Sequence, residues 1–124
     1  MNYTKIKVVF KDYTDLDISE DEIVVYQLSG DYKYIEYQND KEQTHRLDGP
    51  AIEWADGSTE WYVNGQTHRV DGPAIEWSDG SKEWYVKGQR HRVDGPAYEW
   101  ANGSKEWYVN GKEYTKEEFE RKFK

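Results

Sequence analysis

The 124-residue sequence has no cysteine, one methionine and three prolines. Without thiols it can build neither a disulfide framework nor a thiolate metal site, which is in keeping with a cytoplasmic protein. Long hydrophobic runs are missing as well. The opening MNYTKIKVVFKDY holds an apolar run of only Val8–Phe10, too short for the core of a secretory signal, and nothing approaches a membrane span. A soluble, unprocessed chain is expected, so the glycosylation triplets at Asn2 and Asn102 are read as chance. Leu, Ile, Val and Phe together number 21 of 124, and with a net charge of −8 that scarcity ordinarily accompanies disorder. A basic stripe is also lacking. Residues 1–44 carry five Lys against ten Asp or Glu, the three stretches 45–67, 68–90 and 91–113 balance at −3, 0 and −1, and the tail 114–124 stands at +1. Nucleic-acid binding through phosphates is therefore disfavoured.

What is present reverses the disorder reading. Six Trp and eleven Tyr can each bury a large area. All six Trp fall in pairs inside a repeat: His45–Thr67, His68–Arg90 and His91–Glu113 are near-identical, the middle one reading HRVDGPAIEWSDGSKEWYVKGQR. A fixed period of 23 residues implies stacked supersecondary units, none able to bury its apolar face alone. The fold expected is all-β: stacked β-hairpin repeats forming an elongated antiparallel sheet, with a short C-terminal helical cap. Residues 1–44 form an acidic N-terminal β segment ending in a degenerate half repeat around Glu36-Tyr37, residues 45–113 the three units, and residues 114–124 the cap.

Within the N-terminal segment, Lys5–Phe10, Ile23–Leu28 and Tyr32–Gln38 read as strands, the last two as a hairpin about Ser29–Asp31, and Lys11–Glu22 as a loop with one short strand. Each repeat carries Asp-Gly or Asn-Gly (Asp56-Gly57, Asp79-Gly80, Asn102-Gly103), the signal for a two-residue type I′ turn. In that register Ile75, Trp77, Trp84 and Val86 share a core face, and Glu76 opposes Glu83. A bulged three-residue loop would remove that clash. Asn64-Gly65, Lys87-Gly88 and Asn110-Gly111 offer a second turn. Pro50, Pro73 and Pro96 lack a ladder N–H and should begin a strand or lie on an edge. Thr115 to Glu118 reads as a capping box, with Phe119 and Phe123 on one edge of a short helix that closes the stack.

The spacing Glu-Trp-Tyr-Val-Asn-Gly, then His, then Asp-Gly-Ser resembles the MORN repeat over residues 45–113. Arg46, Arg69 and Arg92 stand where a MORN unit usually has Gly. The fuller phrase His-Arg-x-Asp-Gly-Pro-Ala, followed by Glu-Trp and Trp-Tyr-x-x-Gly, is similar to repeats in proteins of bacteriophages and large DNA viruses. That resemblance implies a role in manipulating a host, such as blocking a bacterial defence factor, while MORN repeats imply protein scaffolding. The lipid binding some of them show fits poorly with the acidic balance.

The recurrent His-Arg-x-Asp invites a catalytic or metal reading, and geometry weighs against it. Equivalent residues in successive two-stranded units lie roughly 9–10 Å apart, so His45, His68 and His91 cannot share one ion. No nucleophile elbow, phosphate loop or cofactor motif accompanies them. The bland reading makes these residues structural, with Asp taking turn N–H groups and Arg pairing with Glu of a neighbouring copy. Tyr62, Tyr85 and Tyr108 follow a Trp and point to the opposite face. Flanked by His45, His68 and His91 and by Arg46, Arg69 and Arg92, they form the candidate binding surface, since Tyr and Arg are enriched at hot spots. The function expected is a non-enzymatic protein-binding module with a host protein as partner and no cofactor. Two other readings stand beside it: sequestration of a nucleotide-like small molecule by aromatic and Arg pockets, and nucleic-acid mimicry by the acidic run Asp12–Glu22. Unpaired sheet edges would also favour a homodimer.

Overall fold

Two turn chemistries alternate along the repeats and set the architecture. At Asn64-Gly65, Lys87-Gly88 and Asn110-Gly111 both residues have positive φ, from 49° to 81°, the two-residue type I′ geometry that tightly joins antiparallel strands. The Asp-Gly turns differ from the two-residue expectation. The Trp77 N–H donates to the Ser81 carbonyl at 2.9 Å, so three residues, Ser78, Asp79 and Gly80, make the loop. Only Gly80 is left-handed there, at φ +97°. The cause is the Asp79 carboxylate, whose Oδ1 accepts the Ser81 N–H at 2.8 Å and organises the turn around the side chain. Ile75 consequently pairs with Glu83 and Glu76 with Lys82. Glu99 lies opposite both Lys82 and Lys105, so opposite charges alternate across the sheet where two glutamates would have collided.

The computed structural model describes residues 3–8, 22–28 and 33–124. Strands β1 (Tyr3–Val8), β2 (Glu22–Leu28) and β3 (Lys33–Gln38) form an antiparallel meander. The repeats add β4 (Ile52–Trp54), β5 (Thr59–Glu60), β6 (Tyr62–Val63), β7 (Gln66–Thr67), β8 (Ile75–Glu76), β9 (Lys82–Glu83), β10 (Tyr85–Val86), β11 (Gln89–Arg90), β12 (Tyr98–Glu99), β13 (Lys105–Val109) and β14 (Lys112–Tyr114), and α1 (Lys116–Phe123) follows. Ten of these strands make one sheet in the order β1-β2-β3-β4-β5-β8-β9-β12-β13-β14, with β6–β7 and β10–β11 as two-stranded extensions. The loop expected before Glu22 and the turn expected at Ser29–Asp31 lie outside the described residues, although β2 and β3 pair as a hairpin requires.

Each returning strand is interrupted once. After the His68 N–H bonds the Trp61 carbonyl at 3.0 Å, residues 69–73 leave the sheet, and the chain rejoins where the Ala74 carbonyl accepts the Trp61 N–H at 2.7 Å. The motif His-Arg-x-Asp-Gly-Pro is thus a looped-out insert in an otherwise continuous meander. Ala51, Ala74 and Ala97, at the points of re-entry, have no exposed surface, which leaves no room for a larger side chain. Tyr37 repeats the backbone pattern of Trp61: it bonds the His45 N–H and the Ala51 carbonyl as Trp61 bonds His68 and Ala74.

At Tyr114, which pairs with Trp107 where a further copy would have His, the chain turns into α1 instead. The capping box forms in both directions, Glu118 N–H to Thr115 Oγ1 at 3.1 Å and Thr115 N–H to Glu118 Oε1 at 2.9 Å. Phe119 is fully buried, and Phe123 meets Tyr114 edge-on with ring centres 5.4 Å apart.

Candidate functional site

Trp77 and Trp84 do not share a core face. The Trp77 indole Nε1 donates to Glu83 Oε2 at 2.6 Å, placing Trp77 with Glu83 and Tyr85, and strand alternation sends Trp84 to the other side. The reason is the extra loop residue, which shifts the register by one and so exchanges faces on one strand of the hairpin.

On the Trp84 face the looped-out inserts fold over the aromatic rings. The Arg69 guanidinium lies 3.9 Å above Trp61 and that of Arg92 3.9 Å above Trp84, while Arg46 lies 4.1 Å above Tyr37. In each loop Arg Nε meets the carboxylate two residues on (Asp48, Asp71, Asp94) at 2.8–3.0 Å, and Nη1 donates to the proline carbonyl at 3.0–3.1 Å. A guanidinium can do this because its planar fork bonds at its edge while its face stacks. Contrary to the pairing with a Glu of a neighbouring copy expected from sequence, the glutamates each arginine approaches, Glu53, Glu76 and Glu99, belong to the arginine's own copy, because the loop returns directly into the strand that carries them. Gly49, Gly72 and Gly95 sit under the arginines, where an added Cβ would come within 2.9–3.0 Å of Cζ.

The histidines are also engaged. His45, His68 and His91 each accept, at Nδ1, the backbone N–H of the left-handed residue of the following type I′ turn, Asn64, Lys87 or Asn110, at 2.9 Å. Among the described residues, no three His, Asp or Glu side chains are grouped so as to hold a metal ion, and no helix is long and apolar enough to cross a membrane.

The tyrosines lie across the sheet from the His and Arg set, so the nine candidates do not form one surface. Tyr62 and Tyr85 are half-buried, and their hydroxyls donate to Glu60 Oε1 at 2.9 Å and Glu83 Oε1 at 2.8 Å; Tyr108 repeats the contact to Glu106 at 3.3 Å. Each Glu is held between an indole N–H and a phenol, and Glu60 and Glu83 are only 9% and 5% exposed. Arg90 is peculiar to the second copy. Its Nε and Nη1 reach the Tyr85 and Tyr108 hydroxyls at 3.2 and 3.4 Å, and its guanidinium lies 5.1 Å from the Tyr98 ring centre.

Burial, reinforced by the neighbouring carboxylates Glu60 and Glu83, pushes the phenols of Tyr62 and Tyr98 from 10.0 up to about 12. Because the folded state holds these protons more tightly than the unfolded chain, their contribution is complete below pH 10 and is lost as pH rises towards 12. Thermal melts at stepped pH should show the midpoint falling through that window, and a Tyr62→Phe/Tyr98→Phe double variant should flatten the fall. An equal fall in the variant would contradict the assignment.

Among the described residues, the most exposed large aliphatic side chains lie on the outer rim of the loops. Leu47, Val70 and Val93 occupy the same position in successive inserts and are 73%, 80% and 52% exposed. Between the second and third inserts lies a cleft of about 630 Å³ floored by Trp84 and Val86 and walled by Val70, Pro73 and Val93. A smaller cleft of about 300 Å³, lined by Leu47, Trp61, Val63 and Val70, repeats it between the first and second. Sequence reasoning passed over these three residues because a single aliphatic within a polar hexapeptide looks incidental; its recurrence at the 23-residue period was the available signal.

Comparison with models of protein families, with curated proteins and with solved structures finds no match to this chain.

Proposed function

We propose that the chain is a non-enzymatic protein-binding repeat module that presents the Leu47–Val70–Val93 rim and its two clefts to a partner. The observation that carries this reading is the recurrence of an exposed aliphatic residue on three identically braced loops. Single exposed aliphatics are ordinary on protein surfaces, whereas a row of them over aromatic-floored clefts makes a contiguous apolar patch of the kind that marks interaction sites. Bracing by Arg, Asp and Pro fixes the loops before binding, which lowers the ordering cost of association. The spacing of successive clefts, two strands or roughly 9–10 Å, suits an extended or helical segment with apolar anchors at matched intervals. The viral resemblance of the repeat supports a host protein, such as a bacterial defence factor, as that partner.

The larger cleft also supports a second reading, since its volume falls within the range of small-molecule sites and two arginines stand in its walls. Capture from a bacterial lysate with nuclease present, followed by mass spectrometry of proteins and of small molecules released on denaturation, separates the two. A stoichiometric protein is the expected outcome. A released nucleotide-like compound without a protein would replace the binding module by a ligand-sequestering one.

A further inference from the structure

The repeat array ends with an unfilled place. In the first two copies the outer edge of the ascending strand is covered by the next unit: Trp84 N–H donates to the Ala97 carbonyl at 2.8 Å, Tyr98 lies opposite Glu83 and Glu99 opposite Lys82, and Arg92 stacks on Trp84 at 3.9 Å. Lys105-Glu106-Trp107 repeats Lys82-Glu83-Trp84 residue for residue. Strand β14 pairs only with Trp107–Val109. Beyond it, the edge of Lys105 and Glu106 that faces away from β12 meets no described strand, and among the described residues no guanidinium covers Trp107. An open cleft of about 360 Å³ lies there between the strand edge and the start of α1, bordered by Lys105, Glu106, Trp107, Tyr114, Thr115 and Glu118.

We propose that this edge accepts an extended segment from a partner protein by strand addition, and that the segment has the chemistry of the chain's own connector, Arg-x-Asp-Gly-Pro-Ala followed by an apolar residue and Glu. The protein displays the recognition in its interior. Such a segment would set an apolar residue opposite Glu106, a glutamate opposite Lys105 and an arginine over the Trp107 ring, while the Trp107 backbone stays paired with Tyr114 of β14. Backbone bonds supply the affinity of strand addition and alternate side chains its specificity; here the specificity lies in the Lys105–Glu pair and the Arg–Trp107 stack. A second copy of this chain does not offer the segment, because its own connectors are all engaged in the sheet. The site lies at the end of the array, apart from the loop rim, so either surface can fail alone.

The test is a titration of the full chain, labelled with nitrogen-15, with the blocked peptide Arg-Val-Asp-Gly-Pro-Ala-Ile-Glu at up to roughly millimolar concentration, as suits so short a ladder. The amides of Lys105, Glu106 and Trp107 should shift, those of the loop rim should not, and Lys105→Glu should weaken binding by on the order of ten-fold, with recovery on a peptide whose last residue is Lys. Unperturbed edge amides, shifts confined to the rim, or no charge-swap recovery would overturn the proposal. So would a rise of molecular mass with concentration accompanied by shifts of the same three amides without peptide, which would assign the edge to a second copy.

Discussion

Phe119→Ala is expected to remove about 3–5 kcal/mol of docking free energy from α1, the largest local loss among the single substitutions considered. Phe119 has no exposed surface, and a helix of eight residues has little stability of its own, so its packing face carries it. The capping box and the acidic first turn orient the helix but do not replace a buried ring. Because units in a stacked array contact mainly their neighbours, the loss should stay at the end of the array. Hydrogen exchange should therefore show residues 116–123 fully unprotected in the variant while the amides of β4 to β9 keep their protection. Loss of protection throughout would mean that the cap nucleates or holds the whole array, contrary to this description.

Glu83→Ala should cost about 3 kcal/mol, the scale of two charge-assisted hydrogen bonds lost from a buried site. Its carboxylate accepts the Trp77 indole at 2.6 Å and the Tyr85 phenol at 2.8 Å and lies at the centre of the sheet between Ile75 and Tyr98. Most of the cost comes from stranding two donors, since the donors remain when the acceptor is removed. Glu83→Leu combined with Trp77→Phe and Tyr85→Phe should consequently be more stable than Glu83→Ala alone. Urea denaturation with an unchanged slope gives the comparison. If the triple variant is as unstable as the sum of its parts, the three side chains do not act as one unit.

Much of the fold was legible because the repeat prints its punctuation three times. The period, the two turns per unit, the worn half repeat at Tyr37 and the helix after Thr115 all follow from residue types with few conformational options. The strand register was not legible in the same way. Asp-Gly is compatible with both a two-residue and a three-residue loop, and the choice fell to Asp56, Asp79 and Asn102, each of which bonds the N–H two residues ahead. Asp-Gly-Ser and Asn-Gly followed by a longer residue carry different turns, a distinction that only the side-chain bond decides. With the register went the faces: the first Trp of each pair joins Tyr and Glu, and the second lies under Arg in the first two copies. The role of the histidines was half visible. Spacing excluded a shared metal, but not even the triplicate pattern reveals that each ring accepts a backbone N–H from a turn 19 residues further on, since that contact exists only once successive units are stacked.

The exposed rim gives the protein-binding reading its most direct test. A variant carrying Leu47→Ser, Val70→Ser and Val93→Ser removes only side chains that are half or more exposed, so its fold and melting midpoint should match the parent, as substitutions at exposed sites ordinarily do. Binding of the two proteins to the partner captured by the parent would then be measured side by side. The variant is expected to lose that partner while remaining folded. Undiminished binding by the folded variant would contradict it and move the site off the loop rim.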